Sequence, residues 1–255
     1  MKFLGIIPAR YGSTRLEGKP LVDIGGKTMI QRVYEESVKA LDTVYVATDD
    51  QRIAEVVKAF GGKVIMTSVD HSNGTSRCLE AWERIVELEG EEYQAALNIQ
   101  GDEPLLESDS LIDLKNCFTA HKDTAFATLV IPVTSPEDLF NDSEVFVTFD
   151  INKNALYFSR SVIPHVRGRH KLHWLEDTKI YKHLGLYAYT YKALKEFSQL
   201  PASELERVES LEQNRWIEGG NKIRIGITEH DSIPVDTLDD LKRVRSIIAD
   251  RESKK

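Results

Sequence analysis

The chain has 255 residues, 41% of them hydrophobic and 29% charged, with a formal net charge of −8. Such a chain can bury a substantial core as one large α/β domain, or as one domain with a smaller appendage, without staples. The acidic balance, with no basic stripe interleaved with aromatics, argues against nucleic-acid binding, and no run approaches the ~20 apolar residues of a membrane span. No membrane partner is expected. The opening apolar run is too short for a signal sequence, so a cytoplasmic location is expected. Cys78 and Cys117 have no metal-ligand or redox-pair spacing and read as structural thiols in a reducing compartment.

The predicted elements alternate. KFLGIIPA, TVYVATD, KVIMT and QAALNIQGD read as buried strands. They are followed in turn by the amphipathic helices TMIQRVYEESVKAL, QRIAEVVKAFGG, TSRCLEAWERIVELE and SLIDLKNCFTAH. Continuous apolar strands alternating with helices are the pattern of a parallel sheet covered on both faces. From about residue 133 the rhythm changes to short strands around turns, with a hairpin expected at Asn152-Lys153-Asn154. The strand HLGLYAYT, the helices YKALKEFSQL and SELERVESLEQNRWIEGG, the strand NKIRIGI and the helix TLDDLKRVRSIIADR follow. The expected division is a nucleotide-binding α/β core over 1–132, an inserted region over 133–200, and a return to the core over 201–255.

Ligands of such sheets bind at the carboxyl ends of the strands, and three polar clusters fall there. The first is IPARYGSTRLEGKP. It is not a P-loop, because five residues rather than four separate Gly12 from Gly18 and Pro20 stands where a magnesium-binding hydroxyl belongs. It nevertheless gathers Arg10, Arg15 and Lys19 against one acid, Glu17, in an acidic chain. Guanidinium forks, an ammonium and turn N–H groups together suit a polyphosphate; the alternative is a solvated turn. The absence of GxGxxG after the first strand argues against a dinucleotide-binding dehydrogenase.

The second cluster, ATDD, contains Thr48 and Asp49; the third, NIQGDEP, places Asp102 where a carboxylate can hold magnesium or simply shape a turn. Asp236, just before the last helix, reads equally as a ligand or as an N-cap. HSNGTSR is either a phosphate-binding glycine loop or a helix-capping turn. Arg160, His183 and Tyr187 lie in strand-like settings, and Glu209, Glu212 and Gln213 share roughly one face of a predicted helix.

Taken in order, IPARYGSTRLEGKPL, ATDD, GTSR, NIQGDEP, ALYFSRSVIP, HLGLYAY, SLEQNR and VDT closely resemble the 3-deoxy-manno-octulosonate cytidylyltransferase (CMP-Kdo synthetase) family, nearly end to end. The resemblance implies a mixed, mainly parallel nucleotidyltransferase (Rossmann-like) α/β sheet flanked by helices, with a smaller inserted dimerisation region. It also implies a cytoplasmic, Mg2+-dependent homodimer that makes CMP-Kdo and pyrophosphate from CTP and Kdo, a 3-deoxy-ulosonic acid, for lipopolysaccharide synthesis. Another sugar acid, such as 8-amino-Kdo or a sialic acid, is the alternative acceptor.

By this resemblance Arg15, Lys19, Asp102 and Asp236 are catalytic, the two aspartates holding the metal. Nucleotide contacts fall to Pro8, Ala9, Arg10, Ser13, Arg15 and Lys19 in the first loop. Thr48, Asp49, Gly74, Thr75, Arg77 and Gln100 join them from the later segments. Arg160, His183, Tyr187, Glu209, Glu212 and Gln213 are expected on the sugar acid. The chain departs from the family pattern at Ser76, Phe146, Asn214 and Pro234, where Asp or Glu, Lys, Leu and Gly are usual.

Overall fold

The structure, a computed structural model, describes residues 1–12 and 16–253. Strand β1 (Phe3–Ala9) is followed by a 3-10 turn at Lys19–Leu21, the small hairpin β2 (Asp23–Ile24) and β3 (Lys27–Thr28), and helix α1 (Met29–Ala40). Then come β4 (Thr43–Thr48), α2 (Gln51–Ala59), β5 (Val64–Met66), α3 (Gly74–Glu89), β6 (Ala95–Asn98) and α4 (Ser108–Ala120). Next are β7 (Phe126–Pro132), β8 (Phe146–Phe149), β9 (Ala155–Ser159), the short α5 (Trp174–Asp177) and β10 (Tyr181–Tyr189). The chain closes with α6 (Tyr191–Gln199), α7 (Glu204–Glu209), α8 (Gln213–Glu218), β11 (Arg224–Ile227) and α9 (Leu238–Ser253).

Two compact units result: Met1–Ile112 with His230–Lys255, and Asp113–Glu229. These bounds differ from the expected division at 132, 200 and 201. β7, a strand additional to those predicted, belongs with the second unit because it pairs antiparallel with β10 and parallel with β11.

In the first unit β6, β1, β4 and β5 are parallel neighbours in that order. Leu4, Ile6, Ile7, Val46, Ala47 and Leu97 are fully buried, which explains why these strands read as continuous apolar runs. Side-chain caps start the intervening helices: Thr28 for α1, Asp50 for α2 and Asn73 for α3 each accept a backbone N–H of the first turn. A cluster of Ile24, Met29, Leu105, Val235, Leu241, Val244 and Ile248 fastens α9 to the β2–β3 hairpin. Leu105, directly after NIQGDEP, and Val235, in PVD, are held in this same cluster.

In the second unit β8 extends from β10, and β9 pairs with β8 through the expected hairpin. Lys153 takes the left-handed conformation at φ 58° and the Asp150 carboxylate accepts the Asn154 N–H at 2.7 Å. The predicted helix over 203–220 is instead two helices. Ser210 adopts φ 54° and ends α7, so Glu209 and Gln213 lie on different helices rather than on one face. Phe146, in place of the family's lysine, is fully buried with Val133, Leu139, Trp174 and Ile180. Asn214, in place of leucine, donates from Nδ2 to the Phe158 carbonyl at 3.0 Å and ties α8 to β9. Among the described residues no helix is long and apolar enough to cross a membrane.

Candidate active site

At the carboxyl ends of the first unit's strands lies a cavity of about 340 Å³. It is lined by Pro8, Ala9 and Arg10 at the end of β1, Lys19 and Pro20 beyond the loop, His71 to Gly74 and Arg77 around the start of α3, Gln100 to Asp102 after β6, and Asp236. Its volume falls in the range of small-molecule sites. Two glycines make it possible. A Cβ on Gly101 would lie 3.2 Å from the Pro8 carbonyl oxygen, and one on Gly74 would lie 3.3 Å from Pro8 Cγ. A side chain at either position would crowd the end of β1, against which the segment after β6 and the start of α3 pack closely.

Lys19 Nζ sits between two carboxylates, 2.6 Å from Asp102 Oδ2 and 2.9 Å from Asp236 Oδ1. Several local features bring these three residues together. Gly18, at φ 66°, turns the chain into the 3-10 segment that carries Lys19, and its N–H returns to the Tyr11 carbonyl at 3.1 Å. The Val235 N–H donates to the Asp102 carbonyl at 2.9 Å, which pins the two acidic segments side by side. Asp236 does not cap α9. Thr237 does so, with Oγ1 accepting the Asp240 N–H at 3.2 Å while the Asp240 carboxylate accepts the Thr237 N–H at 2.8 Å. The Asp236 carboxylate therefore turns toward Lys19.

Two carboxylates converge within 3 Å of the Lys19 ammonium, and one or two carboxylates completed by phosphate oxygens and water are the donors that magnesium favours. The donor set fits magnesium. Beside it, buried Glu103 carries a carboxyl pushed up to about 7 by desolvation and then by the Asp102 charge.

Nine of the expected residues line the cavity: Pro8, Ala9, Arg10, Lys19, Gly74, Arg77, Gln100, Asp102 and Asp236. Arg77 also braces the wall, donating from Nη1 to Thr67 Oγ1 at 2.6 Å and pairing with Asp49 at 3.3 Å. Thr48, Asp49 and Thr75 do not line the cavity. Thr48 is fully buried and its hydroxyl accepts the Asp50 N–H at 3.2 Å, Asp49 faces Arg77, and Thr75 is buried in the first turn of α3. Ser13 and Arg15 lie outside the described residues.

His71, Ser72 and Asn73, part of the HSNGTSR segment but not among the expected contact residues, also line the cavity. Their signal was the Asn cap immediately before a helix. His71 is held from both sides, its Nδ1 3.1 Å from Ser76 Oγ and its Nε2 against the Glu80 carboxylate; Ser76 stands where the family has an acid.

In the second unit the expected sugar residues form two groups. His183, Tyr187 and Gln213 come together: the imidazole lies 5.0 Å from the Phe158 ring and 5.3 Å from the Tyr187 ring, and the Tyr187 hydroxyl donates to Gln213 Oε1 at 3.3 Å. Gln213 is buried, and its Nε2 has no hydrogen-bond partner among the described residues. Burial lowers the His183 pKa to about 3, so the ring is neutral at physiological pH. The other group is Arg160 with Glu209. The Glu209 carboxylate accepts from Tyr157 Oη at 2.9 Å, Ser159 Oγ at 2.7 Å and the Arg160 N–H at 3.0 Å. Burial alone would raise this carboxyl; the three hydrogen bonds outweigh it and leave the pKa below the usual range. Glu212, at the start of α8, pairs with Arg215 at 2.8 Å.

A sequence profile of the Cytidylyltransferase family matches residues 4–223. A 3-deoxy-manno-octulosonate cytidylyltransferase of Parabacteroides distasonis is 52% identical over 98% of this chain and 100% of its own length. An 8-amino-3,8-dideoxy-manno-octulosonate cytidylyltransferase of Shewanella piezotolerans is 45% identical over 93% of this chain and 94% of its own length. Among solved structures, a CMP:2-keto-3-deoxy-manno-octonic acid synthetase complexed with CTP matches with a TM-score of 0.88 at 40% identity, over 98% of this chain and 100% of that one. With the first-loop lysine, the strand-end acid and the pre-helix acid meeting in one cavity of that fold, the chain belongs to the 3-deoxy-manno-octulosonate cytidylyltransferase family.

Proposed function

We propose that this chain transfers CMP from CTP to the anomeric hydroxyl of 3-deoxy-D-manno-octulosonate, releasing pyrophosphate, in the cytoplasm, as a homodimer, and in the service of lipopolysaccharide synthesis. The observation that carries the chemistry is the meeting of Lys19, Asp102 and Asp236 in the strand-end cavity. The acceptor is supported by the 52% identity to a relative named for that sugar acid.

The anomeric oxygen attacks the α-phosphorus, a P–O bond forms, and the bond to the bridging oxygen of pyrophosphate breaks. No covalent enzyme intermediate is needed, so catalysis rests on positioning and charge neutralisation. Asp102 and Asp236 would hold magnesium, which when bound supplies charge neutralisation at the α-phosphate and favours the ionised sugar hydroxyl. Lys19 and Arg10 meet the phosphates, with Arg15 added by family resemblance. Backbone at Pro8 and Ala9, together with Gln100, borders the nucleotide. In the second unit Arg160 receives the sugar carboxylate, Glu209 fixes Arg160 in place, and His183, Tyr187, Glu212 and Gln213 meet the hydroxyls.

The test is pyrophosphate release from each of CTP, UTP, ATP and GTP against a panel of sugar acids in magnesium buffer. CTP with Kdo should be the fastest pair. Faster turnover with 8-amino-Kdo or a sialic acid would reassign the acceptor, and equal rates with another nucleotide would overturn the cytidylyl assignment.

A further inference from the structure

Strand β10 does not run evenly against β7. His183 and Leu184 pair with Val130 and Leu129, but the next partners are Tyr187 and Thr128, leaving Gly185 and Leu186 as a bulge. A bulge removes carbonyls from the ladder and re-aims side chains. Thr128 collects what the bulge displaces. Its side chain is fully buried, and Oγ1 lies 2.7 Å from the Leu186 carbonyl oxygen, 3.3 Å from that of Leu184 and 2.9 Å from His183 Nε2.

A hydroxyl has one hydrogen to give. Two of these three neighbours are carbonyls that only accept, and the Leu186 oxygen is the nearest. With that hydrogen committed, His183 Nε2 cannot be an acceptor toward Thr128 and must carry the proton it donates. The ring is then the neutral Nε2–H tautomer, and Nδ1 presents a lone pair. Among the described residues Nδ1 has no hydrogen-bond partner. Such a nitrogen accepts from an O–H or N–H and repels a carboxylate.

We infer that Thr128 is a positioning residue for the sugar acid, holding His183 as the Nε2–H tautomer so that Nδ1 recognises a hydroxyl of the acceptor rather than its carboxylate. This rests on the reading that His183 faces the sugar acid. Thr128 itself, buried beneath the ring, touches no ligand. The arrangement also separates two tasks within the second unit: an acceptor nitrogen for a hydroxyl at His183, and a guanidinium for the carboxylate at Arg160.

The test uses the full-length protein labelled with 15N-histidine. Long-range 1H–15N spectra of the wild type should show His183 with a protonated Nε2 and an unprotonated Nδ1. Thr128→Val keeps the β-branched shape and removes the hydroxyl; it should convert that signal to a mixture of tautomers. It should also raise the KM for Kdo by about fivefold to tenfold, the scale of one hydrogen bond, while the KM for CTP stays within about twofold. Thr128→Ser should restore both the spectrum and the KM.

A wild-type spectrum with the proton on Nδ1 overturns the inference regardless of how the variants fold. So does Thr128→Val with an unchanged His183 signal, or with the CTP constant moving in step with the Kdo constant. A changed tautomer with an unchanged KM for Kdo also overturns it, and places His183 outside the sugar site. Failure of the wild type to turn over Kdo at all defeats the proposed acceptor instead, and the spectra still decide the tautomer.

Discussion

Arg160 and Glu209 hold each other by a reciprocal pair of bonds: the Arg160 backbone N–H donates to Glu209 Oε2 at 3.0 Å, and Arg160 Nε donates to the Glu209 backbone carbonyl at 3.0 Å. A further bond from Nη1 to the Ser143 carbonyl at 3.4 Å holds the guanidinium at a second nitrogen. Three of its five N–H groups are not used in these bonds. The exposed side chain is thus oriented by protein carbonyls without being neutralised by them.

Arg160→Lys is expected to raise the KM for Kdo and lower kcat/KM by about 1 to 3 kcal/mol, because an ammonium cannot keep both the Glu209 carbonyl and a bidentate carboxylate. The KM for CTP should stay constant. Glu209→Ala should shift the Kdo constant in the same direction and also lower the melting temperature, since it strands the Tyr157 and Ser159 hydroxyls. A CTP constant that moves alone would place Arg160 with the nucleotide.

In the proposed reaction Asp236 serves catalysis, while its neighbour Thr237 caps α9. Asp236→Asn should abolish most turnover with little change in melting temperature, because Thr237 starts α9. Thr237→Ala should do the reverse, costing about 1 kcal/mol of stability with turnover retained. Asp102→Asn should behave like Asp236→Asn, and manganese titration without nucleotide should show weaker binding in both Asp variants. Paired kinetics and thermal melts check this, and a destabilised but active Asp236→Asn would restore the capping role to that residue.

Two groups shifted by desolvation, the partly buried His183 and the buried Glu103, set opposing slopes of stability against pH in metal-free buffer. Unfolded His183 binds a proton near pH 6.5, whereas in the folded chain its pKa is about 3. The unfolded state therefore holds more protons between these values, and stability is lost as pH falls from 6.5 toward 3, at up to about 1.4 kcal/mol per pH unit. Glu103 acts the other way. Its folded pKa of about 7 lies above the ordinary 4.5, so its contribution is present below 4.5 and is lost as pH rises toward 7. Denaturant melts across pH 4 to 8 should show His183→Gln gaining relative to wild type on acidification and Glu103→Gln gaining on going toward pH 7. Parallel curves for all three proteins would mean that neither group is perturbed in the folded chain.

Much of this was legible because the strands of the first unit are apolar runs and their ends carry polar clusters; Lys19, Asp102 and Asp236 stood out at such positions. What brings them together was not legible, since the Val235–Asp102 backbone bond and the α9 cluster join segments more than 130 residues apart in the chain. Thr48 and Asp49 read as site residues from their place after a strand, yet Thr48 turned to its own following backbone and Asp49 to Arg77. The break at Ser210 carried no glycine or proline to announce it, so Glu209 looked like a helical neighbour of Gln213. Thr128 was invisible as one more β-branched residue, because its role depends on a bulge in another strand.

In the proposed reaction the anomeric oxygen of the sugar acid attacks the α-phosphorus of CTP. Kdo carrying 18O at its anomeric hydroxyl, incubated with CTP and magnesium, tests it directly by 31P spectroscopy of the products. Transfer by this route places the label in the oxygen bridging sugar and phosphorus of CMP-Kdo, with none in pyrophosphate. Label in the released pyrophosphate, or no labelled phosphodiester at all while CTP is consumed, would contradict it.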